Sequence, residues 1–229
     1  MKKTIYAAFV FAALGLTACN SGEEASTNDE TQAENKEEKV EVVKYTLNSQ
    51  ESELEWRGSW VAPGEDGEVQ EMKSHEGTVQ ISEGMATVEG DDISGSFTVD
   101  MTTISNEDLA GEEGKKKGLE SHLMGTFEDK EEKNKDFFQT QKYATVDVTL
   151  KSIKDGNANL VLNIMGMEME KSVPVTTKTK GDKMMINGDF TIDFTPLELQ
   201  GMQPNPEKPE QGNVNPKVDF TLNVVMNKK

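Results

Sequence analysis

The stretch Thr145-Val146-Asp147-Val148-Thr149-Leu150 puts Val146, Val148 and Leu150 on one side of an extended chain and Thr145, Asp147 and Thr149 on the other. A period of two marks a half-buried strand, because successive side chains of an extended backbone point to opposite faces. The same alternation recurs in both directions. Upstream, Leu54, Trp56, Gly58 and Trp60 oppose Glu53, Glu55, Arg57 and Ser59, and Phe97, Val99 and Met101 oppose Ser96, Thr98 and Asp100. Downstream come Leu160, Leu162 and Ile164, then Phe190, Ile192 and Phe194, then Phe220, Leu222, Val224 and Met226. Many short strands with one apolar face predict an all-β antiparallel fold, a sandwich or a barrel.

Turn-formers separate these strands: Pro63-Gly64 with Asp66-Gly67, Glu83-Gly84, Gly90-Asp91, Asp155-Gly156, Met165-Gly166 and Gly181-Asp182. One segment breaks the period. Ser105-Asn106-Glu107-Asp108 reads as a helix N-cap with a carboxylate three residues on, and Leu109, Leu119 and Leu123 extend a helix over 106–124. The charged run EDKEEKNKD at 128–136 reads as a solvated loop. A second long loop, 195–217, holds five of the seven prolines and no strand pattern.

The 229 residues carry 42 acidic and 24 basic side chains, a formal charge of −18. Such a balance argues against a nucleic-acid partner, since phosphate binding needs Lys and Arg to displace counterions, and Arg57 is the sole arginine. One cysteine makes no intramolecular disulfide and no cysteine-based metal cluster.

That cysteine has a telling position. Lys2 and Lys3 precede an apolar run from Ile5 to Leu16, the length of a signal h-region and too short to span a bilayer. The run ends in Leu16-Thr17-Ala18-Cys19, which looks like a bacterial lipobox, in which the cysteine thiol takes a thioether-linked diacylglycerol. Residues 1–18 are therefore expected to be a lipoprotein signal and Cys19 a lipidated, palmitate-bearing anchor. From Cys19 to residue 42 the chain is polar and acidic, a composition that buries too little to order itself and reads as a tether. Its ~22 residues span roughly 25 Å. Residues 43–229 form the folded domain, expected in the bacterial cell envelope outside the cytoplasm, at the outer membrane or cell surface.

Within that domain, Tyr45-Thr46-Leu47, Leu54-Glu55-Trp56, His75-Glu76-Gly77 and Gly95-Ser96-Phe97-Thr98-Val99-Asp100-Met101 stand in an order that resembles the front half of the YceI-like domain. His122-Leu123, Asp136-Phe137-Phe138 and Tyr143 to Val148 resemble its middle, and Asn159 to Val175, with Gly166 at the turn and Val173-Pro174-Val175 closing, is similar to its late hairpin. The chain departs from the pattern in the insertion between Leu123 and Asp136, in Ala144 where a proline is usual, and in the proline-rich 195–217 loop.

The resemblance implies a lipocalin-like antiparallel barrel of about eight strands enclosing an apolar pocket for an isoprenoid-like or other amphiphilic lipid, stored or passed on without chemical change. The inward residues then expected to bind the ligand are Trp56, Trp60, Phe97, Val99, Val146, Val148, Leu160, Leu162, Phe190 and Ile192. An eight-stranded barrel has room inside for side chains or for one slender ligand.

No GxSxG elbow, HExxH motif or P-loop is present, and no cofactor motif, so the sequence does not read as an enzyme. His75 and His122, the two histidines, either face a polar ligand head or hydrogen-bond a neighbouring segment. Together with methionines such as Met165, Met167, Met169, Met184, Met185 and Met202 they support an alternative: a metal-handling or stress-protective surface lipoprotein. Methionine's commoner role is to fill irregular interiors.

Overall fold

In the computed structural model, which describes residues 41–229, each alternating stretch forms a strand. They are β1 (Val42–Leu47), β2 (Glu53–Pro63), β3 (Val69–Glu89), β4 (Asp92–Asn106), β5 (Thr145–Lys154), β6 (Asn157–Ile164), β7 (Met167–Pro174), β8 (Thr176–Lys180), β9 (Lys183–Asp193), β10 (Asn213–Val214) and β11 (Lys217–Lys228), with one helix, α1 (Glu113–Met124), between β4 and β5. Every pairing is antiparallel.

The pairings close into a ring. β1 and β2 run in the same direction, each lying between β3 and β11, so they are two halves of one stave interrupted at 48–52. β7 pairs with β6; after Val175 the chain continues as β8, which pairs with β9 through Thr176↔Asn187. β9 in turn lies along β11 from Lys217↔Asp193 to Asn227↔Lys183. The circuit β9, β11, β1/β2, β3, β4, β5, β6, β7/β8 returns to β9, giving eight staves. The fold is thus a barrel and not a sandwich, closed between β7 and β8 by the continuous chain; β7 and the 188–193 part of β9 share no ladder pairing and face each other across that seam.

Tight turns fall where the sequence places them. Met165 (φ 54°) and Gly166 (φ 82°) both take positive φ, the two-residue turn whose twist suits antiparallel strands. Glu83-Gly84 differs: it makes no turn, and β3 runs straight through it with a register irregularity between Ile81 and Glu83. A bulge absorbs the extra residue and bends the strand instead of ending it.

The helix also differs from the sequence expectation. It starts at Glu113, not at 106. Asn106 is instead the last residue of β4, fully buried, and its amide is consumed locally: Nδ2–H donates to the Glu76 carbonyl at 2.9 Å and to Asp108, while Oδ1 accepts from the Leu109 N–H at 3.0 Å. The Oδ1 bond is of N-cap type, but what it caps is the short turn at 108–111 and not α1. α1 ends as its sequence suggests, at Gly125 with φ 68°. The charged run at 128–136 contains a short exposed 3-10 turn, Glu131–Lys135, and the 195–217 loop contains three more turns and β10, which pairs with β2. That loop folds back on the barrel, burying Leu199 and Met202.

The end of the barrel opposite α1 is filled. Met184 and Met226 face each other across β9 and β11 and are 1% and 0% exposed. Residues 1–40, which include the expected signal, Cys19 and most of the expected tether, lie outside the described residues.

Candidate functional site

Inward residues stack in rungs along β9 and β11: Ile192 with Val218, Phe190 with Phe220, Gly188 with Leu222, Ile186 with Val224 and, at the floor, Met184 with Met226. Above the methionine floor the rungs do not meet across the barrel. They leave a cavity of about 230 Å³ whose lining is apolar throughout. An engineered apolar cavity of about 150 Å³ stays dry and takes up benzene, so by proportion this one holds roughly nine carbon atoms before any wall moves.

Nine of the ten expected lining residues are on this surface: Trp56, Phe97, Val99, Val146, Val148, Leu160, Leu162, Phe190 and Ile192. The wall residues keep their polar atoms out of the bore; the Trp56 indole N–H donates to the Thr78 carbonyl at 3.2 Å. Trp60 is the exception. β11 stops pairing with β2 at Arg57, so by Trp60 the stave has run past the ring. There the indole is 41% exposed and donates to the Gln211 carbonyl at 2.9 Å.

The upper end is bordered by groups that strand periodicity does not mark: Leu123 from α1, the adjacent pair Phe137 and Phe138, and Met202 from the 195–217 loop. An aromatic chain connects this lid to the wall. Phe138 meets Phe194 edge-on at 5.9 Å, Phe194 meets Phe220 at 6.3 Å, and Phe220 stacks on Phe190 at 5.9 Å. The one sequence signal for the lid is the Phe137-Phe138 doublet in a polar loop.

Neither histidine lines the cavity. His122 Nε2–H donates to Asp136 at 2.8 Å and its ring lies against Phe137 at 4.9 Å, so it supports the lid from behind. His75 Nδ1–H donates to Asp108 at 2.8 Å. Asp108 also accepts the Glu76 N–H at 2.9 Å and the Asn106 amide, and Glu120 of α1 accepts the Asn106 N–H at 2.9 Å. This knot ties β3, β4 and α1 together beneath the lid.

Burial opposes ionisation of Asp108, but the hydrogen bonds from Glu76, His75 and Asn106 outweigh it and hold its carboxyl below the ordinary range. A lowered folded-state pKa stabilises the fold above the unfolded value of ~3.9 and loses that effect as pH falls through the folded value. Asp108→Asn is therefore expected to cost about 1–2 kcal/mol at pH 7, and the gap to the parent should close below about pH 4. Urea unfolding at the two pH values checks it; a gap independent of pH contradicts it.

Among the described residues no group of three His, Cys, Asp or Glu side chains is placed to hold a metal ion. Of the methionines, Met169, Met184 and Met202 are buried in packing, Met184 against Met226, while Met167 is exposed.

The sequence model of the YceI-like domain matches residues 45–226. No curated protein matches the chain. Similar solved structures include a polyisoprenoid binding domain from Saccharophagus degradans implicated in plant cell wall breakdown, 12% identical, covering 81% of this chain and 98% of that one with a TM-score of 0.48. BcnA of Burkholderia cenocepacia is 16% identical over 78% of this chain and 98% of its own, with a TM-score of 0.47. A Campylobacter jejuni YCEI protein is 14% identical over 59% of this chain and 72% of its own, with a TM-score of 0.38.

Proposed function

This chain belongs to the YceI-like domain family, and from that premise we propose that it binds the apolar tail of an isoprenoid-like or other amphiphilic lipid inside its barrel, and stores or carries that lipid without altering it. The observation that supports the reading is the all-apolar lining of the bore. Such a wall offers nothing to a polar solute and no group for acid-base or nucleophilic chemistry, yet removes hydrocarbon from water at about 0.8 kcal/mol per methylene.

The anchor belongs to the same proposal. Cleavage before Cys19 and acylation of its thiol fix the protein to a membrane of the bacterial envelope, because two or more acyl chains hold where one is marginal. The acidic segment to residue 42 then sets the barrel ~25 Å from the head groups. Lipid and barrel are thus kept within reach of each other.

Mass spectrometry of the native protein tests both parts. Material purified from envelope membranes is expected to carry a co-purifying prenyl or similar lipid and a diacylated N-terminal cysteine. Cys19→Ser should move the protein to the soluble fraction. Protein that is empty and takes up no prenyl compound on addition sinks the lipid reading; membrane retention of Cys19→Ser sinks the anchor.

A further inference from the structure

Besides the unpaired seam between β7 and β9, the barrel wall is thin at a second place. β1 stops at Leu47 and β2 resumes at Glu53, so the shared stave is interrupted there. Beside the gap β3 is irregular between Ile81 and Glu83, and the next residue is Gly84. A side chain at Gly84 has no room: a Cβ would lie 2.4 Å from the Phe97 ring and 3.1 Å from Leu47. The wall at this point is therefore the Phe97 ring itself, seated over a glycine.

Phe97 has two exposed contexts. It lines the cavity, and it also borders a surface groove together with Leu47, Met85, Ser82, Ser96 and Thr98. No other residue borders both spaces. A phenyl ring turns about two torsions, so one side chain can connect cavity and groove without breaking a ladder hydrogen bond.

The groove's chemistry restricts what rests in it. Its surface is mostly apolar, with Leu47 and the exposed Met85 beside hydroxyls; its one charged member is Glu83, and Asp147 is paired with Thr98 on the same outer face. No lysine or arginine is among its lining residues. Hydroxyls suit an alcohol or carbonyl head, whereas a phosphate would meet carboxylates with no cation to compensate them.

Resting on the lipid-binding reading above, we propose that the tail enters sideways through the wall at Gly84, past Phe97 as a gate, and that an uncharged head group stays outside in the groove. The upper lid of α1 and the Phe137-Phe138 loop is then a fixed cap.

The test uses the full chain with Cys19→Ser and Trp60→Phe, so that Trp56 in the bore is the sole indole, with geraniol and geranyl phosphate as probes. Stopped-flow emission from Trp56 gives association and dissociation rates. With Ser96→Cys added and its thiol carrying a bulky maleimide, both geraniol rates should fall at least tenfold against the unlabelled variant. Phe97→Ala should raise both rates at least tenfold, and geraniol should bind at least tenfold tighter than geranyl phosphate, a preference that Glu83→Lys reduces.

Rates indifferent to the groove label, or a Phe97→Ala effect on dissociation alone, overturn the side entrance. Equal or tighter binding of geranyl phosphate overturns the head-group assignment. Binding of neither probe removes the lipid reading itself, which is a different outcome from binding that ignores the groove.

Discussion

Val148→Phe is expected to weaken binding of a ten-carbon prenyl chain about two-hundredfold while the barrel stays at least as stable. Val148 points into the bore from β5, opposite Phe97 on β4 and Leu162 on β6. The substitution adds four carbon atoms to a space of about 230 Å³ and so excludes about that number from the ligand. Four carbons at about 0.8 kcal/mol amount to about 3 kcal/mol, or roughly two-hundredfold in Kd. In a close-packed core the same change would cost about 1–3 kcal/mol in strain. Here the ring enters vacant space, and filling an apolar void commonly adds stability. Calorimetric titration with geraniol and thermal unfolding of the same variant check both halves. Unchanged affinity means that the tail lies elsewhere; a large loss of stability means that the bore is already full.

The second large effect lies at the floor. Met226 is fully buried and faces Met184 across the β9–β11 ladder. Met226→Ala should cost about 2–5 kcal/mol, because truncation loses the transfer energy of the removed atoms and leaves a void. At this chain length that lowers the Tm by roughly 10 °C. The same change deepens the bore, since Ile186 and Val224, one rung up, already line it. Tails longer by three or four carbons should then gain affinity relative to geraniol. A variant that melts early but keeps its chain-length preference would show that the floor and the cavity are separate compartments.

Much of this architecture is legible in the sequence because its controlling signal is local. Alternation along β4, β5, β6, β9 and β11 specifies strand, face and inward residue at once. Nine of ten nominated side chains therefore reach the bore. Trp60 fails because alternation says which face a residue is on and not where its neighbour strand ends. The helix start is misplaced for a related reason: Asn106 does accept the Leu109 N–H as a cap would, but the turn it caps ends at Gly111 and α1 begins only at Glu113. Glu83-Gly84 reads as a turn by composition, yet Gly84 is there to admit the Phe97 ring. Leu123, Phe137, Phe138 and Met202 escape notice because loops and a short helix carry no two-residue rhythm. The metal alternative rests on residue type alone; among the described residues no three His, Cys, Asp or Glu side chains come together, and His75 and His122 pair with separate carboxylates, Asp108 and Asp136.

The ring joins the earliest strand to the latest, with Tyr45 opposite Lys228 and Leu54 opposite Leu222. While the chain is being made, β1, β2 and β9 have no partner on one side until β11 has left the ribosome. Contacts so distant along the polymer pair slowly, on the millisecond-to-second scale of all-β domains. The successive hairpins from β3 to β7 need no such wait, so the final strand made is the one that turns a curved meander into a closed container.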